Sequence, residues 1–277
     1  MHIMKQSISI VKFRNHNMDC IYNADRFSES EVMDLLNSGA SKLFSQKKQI
    51  YETENAISYR LRINGNDYFG KEFKINKWYR RIWNRFFPAC KNNFRAGIKI
   101  SEAGLPTPQP FIAASLRVNG ARKQFLVTAF CDNAIGMDDF TGHYRDRERL
   151  AIMEKAADLL AEFFNKGFYS RHLRSANILV SEENGRYRFW LIDLDLLGSS
   201  RFLSGSAFVN TVSRASFEFY EHLQPDERRY WIKSCFNAGV KYHILSPSAD
   251  ENNFSTQVVA QIIKRHPMIF QNSEYVK

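Results

Sequence analysis

The sequence predicts an α+β fold with a strand-rich N-terminal lobe and a mainly helical C-terminal lobe, and three observations carry that expectation. First, two alternating runs, Ser58 to Ile63 and Tyr68 to Lys74, flank Asn64-Gly65-Asn66-Asp67; alternation on both sides of an Asn-Gly pair is the strongest short-range hairpin signal. Second, Ile152, Ala156, Leu159, Leu160, Phe163 and Phe164 recur at helical spacing, and Gly167 follows them, the pattern of a buried helix with a left-handed cap. Third, 277 residues with 44% apolar and 14% aromatic side chains can bury a full core. Against a prior of about 150 residues per domain, that length suits one large domain or two lobes.

In chain order, residues 1–48 read as an N-terminal extension: an irregular basic start, then a short helix over Glu31, Val32, Met33, Leu35 and Leu36 that Ser28 or Ser30 caps. The strand-rich lobe occupies 49–132. Its hairpin gives way to a basic, aromatic stretch, KWYRRIWNRFF (Lys77 to Phe87), and then to a helix from Asn93 to Ala103 that stops at Gly104. Extended runs at Pro110 to Val118 and Lys123 to Phe130 complete it. The helical lobe, 133–277, holds the long helix, a loop, a strand hairpin about Asn184-Gly185, and helices at Pro225 to Phe236 and Ser255 to His266.

Lys and Arg number 39 against 29 Asp and Glu, a formal charge of +10 that attracts nucleic acid, acidic lipid or phosphorylated ligands alike. Cys20, Cys90, Cys131 and Cys235 are scattered without a CxxC pair, which argues against a disulfide scaffold and a structural zinc site and for a reducing compartment. The start, MHIMKQSISIVKF, has no signal-peptide core, and no apolar run approaches the ~18 residues of a membrane span. A cytoplasmic chain is expected.

The chemistry concentrates after the long helix. SRHLRSANIL (Ser170 to Leu179) precedes a strand, and LIDLD (Leu191 to Asp195) closes the hairpin, with Asp193 16 residues after Asn177. Phosphoryl transfer from ATP requires a cation on the phosphates and oxygen ligands, usually Asn and Asp, for magnesium. Asp193 sits inside an apolar run, and buried acids are rarely idle. The order of parts is similar to the eukaryotic-type protein kinase fold, a bilobal α+β architecture. SRHLRSANIL resembles its catalytic loop H-R-D-L-x-x-x-N, and LIDLD its metal-binding D-F-G segment.

In detail the chain resembles the bacterial lipopolysaccharide kinases, the Kdo and heptose kinases with their InaA-like or toluene-tolerance branch. The matching signature is YFGKEF, the basic aromatic stretch after it, Gly104-Leu105-Pro106-Thr107-Pro108, NILV and LIDLD, and it covers roughly Tyr51 to Phe236. That resemblance implies ATP and magnesium as cofactors, Asn177 and Asp193 as metal ligands, and Lys71 as the nucleotide lysine, its side chain on the face of Phe69 and Phe73. Nucleotide contacts are implied for Thr128, Phe130 and Asp193, and phosphoryl contact for Arg174. Lys74 is a nearby competitor of Lys71, and Asp195 is either a second metal ligand or an exposed loop acid.

Three positions depart from the kinase pattern. His172 stands where the catalytic-loop aspartate would be; a neutral imidazole, of unperturbed pKa about 6.5, can orient or deprotonate an acceptor hydroxyl at neutral pH. The first hairpin offers Glu52-Thr53-Glu54-Asn55-Ala56 in place of a G-x-G-x-x-G loop, and the helix before Gly104 has no carboxylate in its first turns to hold Lys71. The reading is an ATP-dependent kinase of a lipopolysaccharide-core or lipid-A-linked sugar hydroxyl in a Gram-negative bacterium. It would act at the cytoplasmic face of the inner membrane, with Lys77 to Phe87 against the anionic surface and no nucleic acid as partner. The alternatives are a pseudokinase that binds nucleotide or lipid in envelope stress or solvent tolerance, and a small-molecule phosphotransferase of the aminoglycoside type.

Overall fold

The computed structural model describes residues 8–15, 18–37, 47–74, 88–118, 121–171, 173–194, 196–200 and 203–265. The chain divides into two compact units, Met1–Asp132 and Asn133–Lys277.

The first unit is built on an antiparallel sheet whose strands are β1 (Ile10–Arg14), β2 (Met18–Asn23), β3 (Lys47–Glu52), β4 (Ala56–Ile63), β5 (Asn66–Phe73), β6 (Pro110–Val118) and β7 (Ala121–Ala129). They lie in the order β1-β2-β6-β7-β5-β4-β3. The hairpin expected at Asn64-Gly65 joins β4 to β5, with Ile63 opposite Asn66. Its central residues have φ of 50° and 78°, the left-handed pair that a two-residue turn matched to strand twist demands.

The start of the chain differs from the expected irregular segment. Residues of β1 and β2 form a hairpin, and β2 pairs with β6, so the sheet continues through them. The burial of β2 explains why it escapes a period-2 reading: Met18, Cys20, Ile21, Tyr22 and Asn23 are all buried, and strands covered on both faces do not alternate.

Helices cover both faces of this sheet. On one, α1 (Glu29–Asn37) delivers Val32 and Leu36, which pack with Phe27, Tyr59, Leu61, Tyr68, Phe111 and Val127. On the other, α2 (Ala89–Glu102) packs Cys90, Phe94 and Ile98 onto Ile21, Ala113 and Leu126. Helix α2 begins a turn earlier than its apolar periodicity suggests, because Pro88 accepts the first N–H groups, from Lys91 and Asn92, at 3.0 Å each.

The second unit contains two small ladders and a helical body. Strand β10 (Ile178–Glu183) pairs with β11 (Arg186–Leu191) and with β8 (Ile135–Gly136), and β9 (Phe168–Ser170) pairs with β12 (Leu197–Ser199). Around them lie α3 (Phe140–His143), α4 (Asp146–Asn165), α5 (Gly205–Tyr220), α6 (Pro225–Lys241) and α7 (Glu251–Arg265). Helix α4 is the long apolar helix read from the sequence. Gly167 follows it at φ 81° and gives its carbonyl to Ser200 N–H at 2.8 Å, so the left-handed residue also ties the helix exit to the segment after β12.

Helix α5 has no counterpart among the expected elements. Phe208, Val209, Thr211, Val212, Ser213, Ala215, Ser216, Phe219 and Tyr220 are buried on it, so its buried face mixes polar with apolar residues, and Ser, Thr, Val and Phe are indifferent helix formers. Its polar core groups are satisfied locally: Ser213 donates to Val209 O at 2.6 Å, and Ser216 accepts Trp231 Nε1–H at 2.7 Å. Among the described residues no helix is long and apolar enough to cross a membrane.

Candidate active site

The β10–β11 hairpin positions the two expected metal ligands. Ile178 is opposite Leu191 in the ladder, so Asn177, the last residue of a 3-10 turn over Ser175–Asn177, and Asp193 lie at the same end of the hairpin. A hydrogen bond continues the ladder there: Ile192 N–H donates to Asn177 O at 2.9 Å. The two side chains are therefore carried by backbone that is joined one residue away from the carboxylate.

Asp193 adopts φ 56°. Left-handed backbone costs an L-residue about 1–2 kcal/mol, less for Asp and Asn, and such strain persists where surrounding structure over-determines it. Here Leu191 and Leu194, both buried, fix the chain on either side of Asp193. Both side chains offer hard oxygen atoms, and magnesium takes one or two carboxylates together with phosphate oxygens, so these residues fit that ion.

The segment leading to Asn177 is clamped by a residue that the sequence motifs do not include. Glu218, on α5, accepts the Ser175 hydroxyl at 2.7 Å and the Ala176 N–H at 3.1 Å through Oε2, and pairs with Arg174 through Oε1. The carboxyl is 14% exposed, and Ser175 is fully buried. A charged acceptor on a neutral N–H and hydroxyl makes strong, directional bonds, so Glu218 fixes the backbone just before Asn177. Arg174 also lies over the Phe217 ring, 5.5 Å from its centroid. The expected phosphoryl-contacting arginine is thus held by α5. A second tie comes from Arg214, whose Nη1 donates to Arg171 O at 2.9 Å.

At its other end the same segment enters from β9, and Ser170 is opposite Leu197. The stretch between Ser170 and Asn177 is fastened by a ladder, by Glu218 and by the Asn177 carbonyl. His172 and Asp195 lie outside the described residues, as does the whole of Lys77 to Phe87.

In the first unit Lys71 stands in the middle of β5, opposite Ser58 of β4 and Leu126 of β7. Directly opposed residues of antiparallel strands share a face, which puts Phe69, Lys71, Phe73, Leu126 and Thr128 together. The Lys71 ammonium is 5.3 Å from the centroid of the Phe73 ring. Thr128 donates its hydroxyl to Ala129 O at 3.2 Å, and Phe130 lies under the Arg60 guanidinium at 4.6 Å. The structure brings Lys71 and Thr128 to one face of one sheet.

Lys74 has another task. Its ammonium pairs with Glu52 and donates to Thr53 O at 3.0 Å, closing the β3–β4 hairpin where a glycine-rich loop would lie. That ammonium holds the Glu52 carboxyl below its ordinary range. Helix α2 indeed has no acid in its first turn. It carries Lys91 there, nearly buried, in an ion pair with Asp19 of β2. The helix is charge-anchored to the N-terminal hairpin.

A strand-rich part followed by a helical part, with Asn and Asp closing a hairpin beside a clamped loop, defines a protein-kinase-like fold. Residues 69–201 match the sequence model of the lipopolysaccharide kinase (Kdo/WaaP) family, which bears out the resemblance read from the motifs. Among solved structures, the chain is similar to WaaP in complex with acyl carrier protein, with a TM-score of 0.56 at 16% identity over 87% of this chain and 98% of that one. A double mutant of the PknI kinase domain from Mycobacterium tuberculosis matches at a TM-score of 0.41 and 13% identity, over 79% of this chain and 96% of that one. The search of curated proteins found no match. The fold class expected from the sequence is that of the WaaP structure.

Proposed function

We propose that this protein is an ATP-dependent kinase that phosphorylates a sugar hydroxyl of the lipopolysaccharide core. The observation that carries the reading is the joined pair Asn177 and Asp193, one on each side of the Ile192 N–H to Asn177 O bond of 2.9 Å, with Asp193 held at φ 56°. It lies inside the segment 69–201 that matches the lipopolysaccharide kinase model.

In the reaction proposed, the acceptor hydroxyl oxygen forms a bond to the γ-phosphorus of ATP while the bond from that phosphorus to the bridging oxygen of ADP breaks. His172 takes the hydroxyl proton, as a neutral imidazole does near its ordinary pKa of about 6.5. Asn177 and Asp193 would hold magnesium, which neutralises charge on the phosphate oxygens. Lys71 binds the α- and β-phosphates, and Thr128 and Phe130 contact the base-bearing end of the nucleotide. Because catalysis of this kind is mostly positioning and charge neutralisation, Glu218 contributes by fixing the loop. Contact with the anionic inner-membrane surface is assigned to Lys77 through Phe87, whose cations and aromatics suit an interface.

The absence of an acid in the first turn of α2 favours one second reading, a pseudokinase that binds nucleotide without transfer. Incubation with ATP, magnesium and isolated core oligosaccharide separates the two. Phosphate enters the oligosaccharide with the wild type and not with Asp193→Ala under the first reading. Tight ATP binding without incorporation into any core acceptor supports the second.

A further inference from the structure

Along α5, Asn210, Arg214 and Glu218 succeed one another at one-turn spacing, a single stripe on the helix. Glu218 commits its carboxylate to Arg174, Ser175 and Ala176. Arg214 reaches the carbonyl of Arg171 at 2.9 Å, and Arg265, the last residue of α7, donates Nη2 to Asn210 Oδ1 at 3.1 Å. These bonds are to neutral oxygens. Among the described residues, neither Arg214 nor Arg265 has a carboxylate within the 4.0 Å of an ion pair.

Among the described residues, the Arg265 Nε is buried and has no hydrogen-bond partner. Burial first, and the Arg214 charge second, hold this guanidinium below its ordinary value. Two guanidiniums that repel each other, one with a desolvated donor left over, are an uncompensated arrangement that burial penalises. An oxyanion relieves it, because the planar fork of an arginine matches phosphate and carboxylate oxygens in pairs.

We propose that Arg214 and Arg265 form an anion subsite beside the catalytic segment, which takes a phosphate or carboxylate group carried by the acceptor. The side of the segment decides for the acceptor: Arg214 is bonded to Arg171, next in sequence to His172, whereas the metal ligand Asn177 lies at the far end of the segment. The assignment to the acceptor rests on the kinase reading above; the anion site itself does not. Its chemistry is shared by a free phosphate and by the headgroup of an anionic lipid.

Titration of the purified full chain with inorganic phosphate, without nucleotide, tests the subsite. The wild type binds phosphate, and Arg265→Gln and Arg214→Gln each weaken it about ten- to hundredfold, the worth of a charge-assisted bond; Arg265→Gln leaves ATP affinity unchanged. Vesicles of phosphatidylcholine with and without phosphatidic acid distinguish the sources. Binding to the acidic vesicles that Arg265→Gln removes and free phosphate displaces identifies a headgroup; uptake of free phosphate alone identifies a soluble anion. A protection measurement needs no variant: phosphate shields Arg214 and Arg265, but not the exposed Arg229, from phenylglyoxal. Equal modification with and without phosphate, no phosphate uptake by the wild type, or variants that bind as the wild type does overturns the proposal. Asp193→Ala keeps phosphate uptake, so loss of transfer and loss of the subsite are read separately.

Discussion

The Glu218 carboxylate accepts the hydroxyl of Ser175 at 2.7 Å, and with that bond α5 sets the position of the backbone leading to Asn177. Removal of the acceptor leaves a buried hydroxyl and the Ala176 N–H without their partner. Glu218→Ala is therefore expected to lower unfolding free energy by about 1–3 kcal/mol and to lower kcat with little change in KM for ATP. Glu218→Gln, which keeps one acceptor oxygen, restores part of both. Denaturant melts and steady-state kinetics of the two variants check this; equal kcat in Glu218→Ala and wild type contradicts a positioning role.

Asp193 combines a functional carboxyl with a strained backbone at φ 56°, and substitutions separate the two. Asp193→Gly relieves the strain, whereas Asp193→Ala keeps it and is expected to be about 1 kcal/mol less stable than Asp193→Gly. Neither transfers phosphate. Thermal unfolding and the transfer assay are the measurements.

Gly167 is the sharpest steric test of the fold in the second unit. A Cβ there would lie 2.6 Å from the backbone oxygen of Ser200, at φ 81°. Gly167→Ala should destabilise the chain by about 2 kcal/mol, from left-handed strain together with displacement of a backbone atom that cannot rotate away. Chemical denaturation gives the value directly.

The two lysines near the β5 exit are expected to behave differently. Lys71→Ala removes nucleotide binding. Lys74→Ala leaves it measurable but frees the β3–β4 turn, seen as faster amide exchange at Thr53 to Ala56. Since Lys74 lowers the folded pKa of Glu52, this clamp is complete above the unfolded carboxyl value of about 4.3 and is lost as the pH falls through the lower folded value. The protection factors of those amides, which take out the intrinsic pH dependence of exchange, should fall at acid pH in wild type and not further in Lys74→Ala.

Three of the thiols, Cys20, Cys90 and Cys235, are buried, and Cys131 is half-buried. Burial pushes Cys20, Cys90 and Cys131 up to about 12 and holds the Cys235 thiol well above its ordinary value. With raised folded values, their contribution to stability is full below the unfolded value of about 8.5 and declines as the pH rises above it. Iodoacetamide at about pH 8 should label the native chain slowly and the urea-unfolded chain fast at every cysteine, as counted by intact mass.

Legibility in the sequence followed the range of the interactions. Asn64-Gly65 and Asn184-Gly185 announce their hairpins because the turn geometry is written in two adjacent residues, and the second hairpin alone brings Asn177 to Asp193. Lys71 shares a face with Phe69 and Phe73 as strand alternation requires. Helix α5 is hard to read because its buried face mixes Ser and Thr with Val and Phe, although Ser204, which caps it by accepting Ala207 N–H at 3.3 Å, and the Phe208, Val212, Ala215, Phe219 spacing signal it. Glu218 and Arg214 were hidden with it. Their role depends on contacts 42 to 44 residues away in sequence, which no local pattern encodes. The β1–β2 hairpin is obscured because β2 is covered on both faces and does not alternate.

The central claim is that Asn177 and Asp193 serve a phosphotransferase whose acceptor is a core sugar. Phosphorus NMR of isolated core oligosaccharide after incubation with ATP and magnesium reads it most directly. A new phosphomonoester resonance is expected with wild type and is absent with Asn177→Ala and with Asp193→Ala. Wild-type protein that binds ATP tightly yet yields no phosphomonoester on any core acceptor would contradict it.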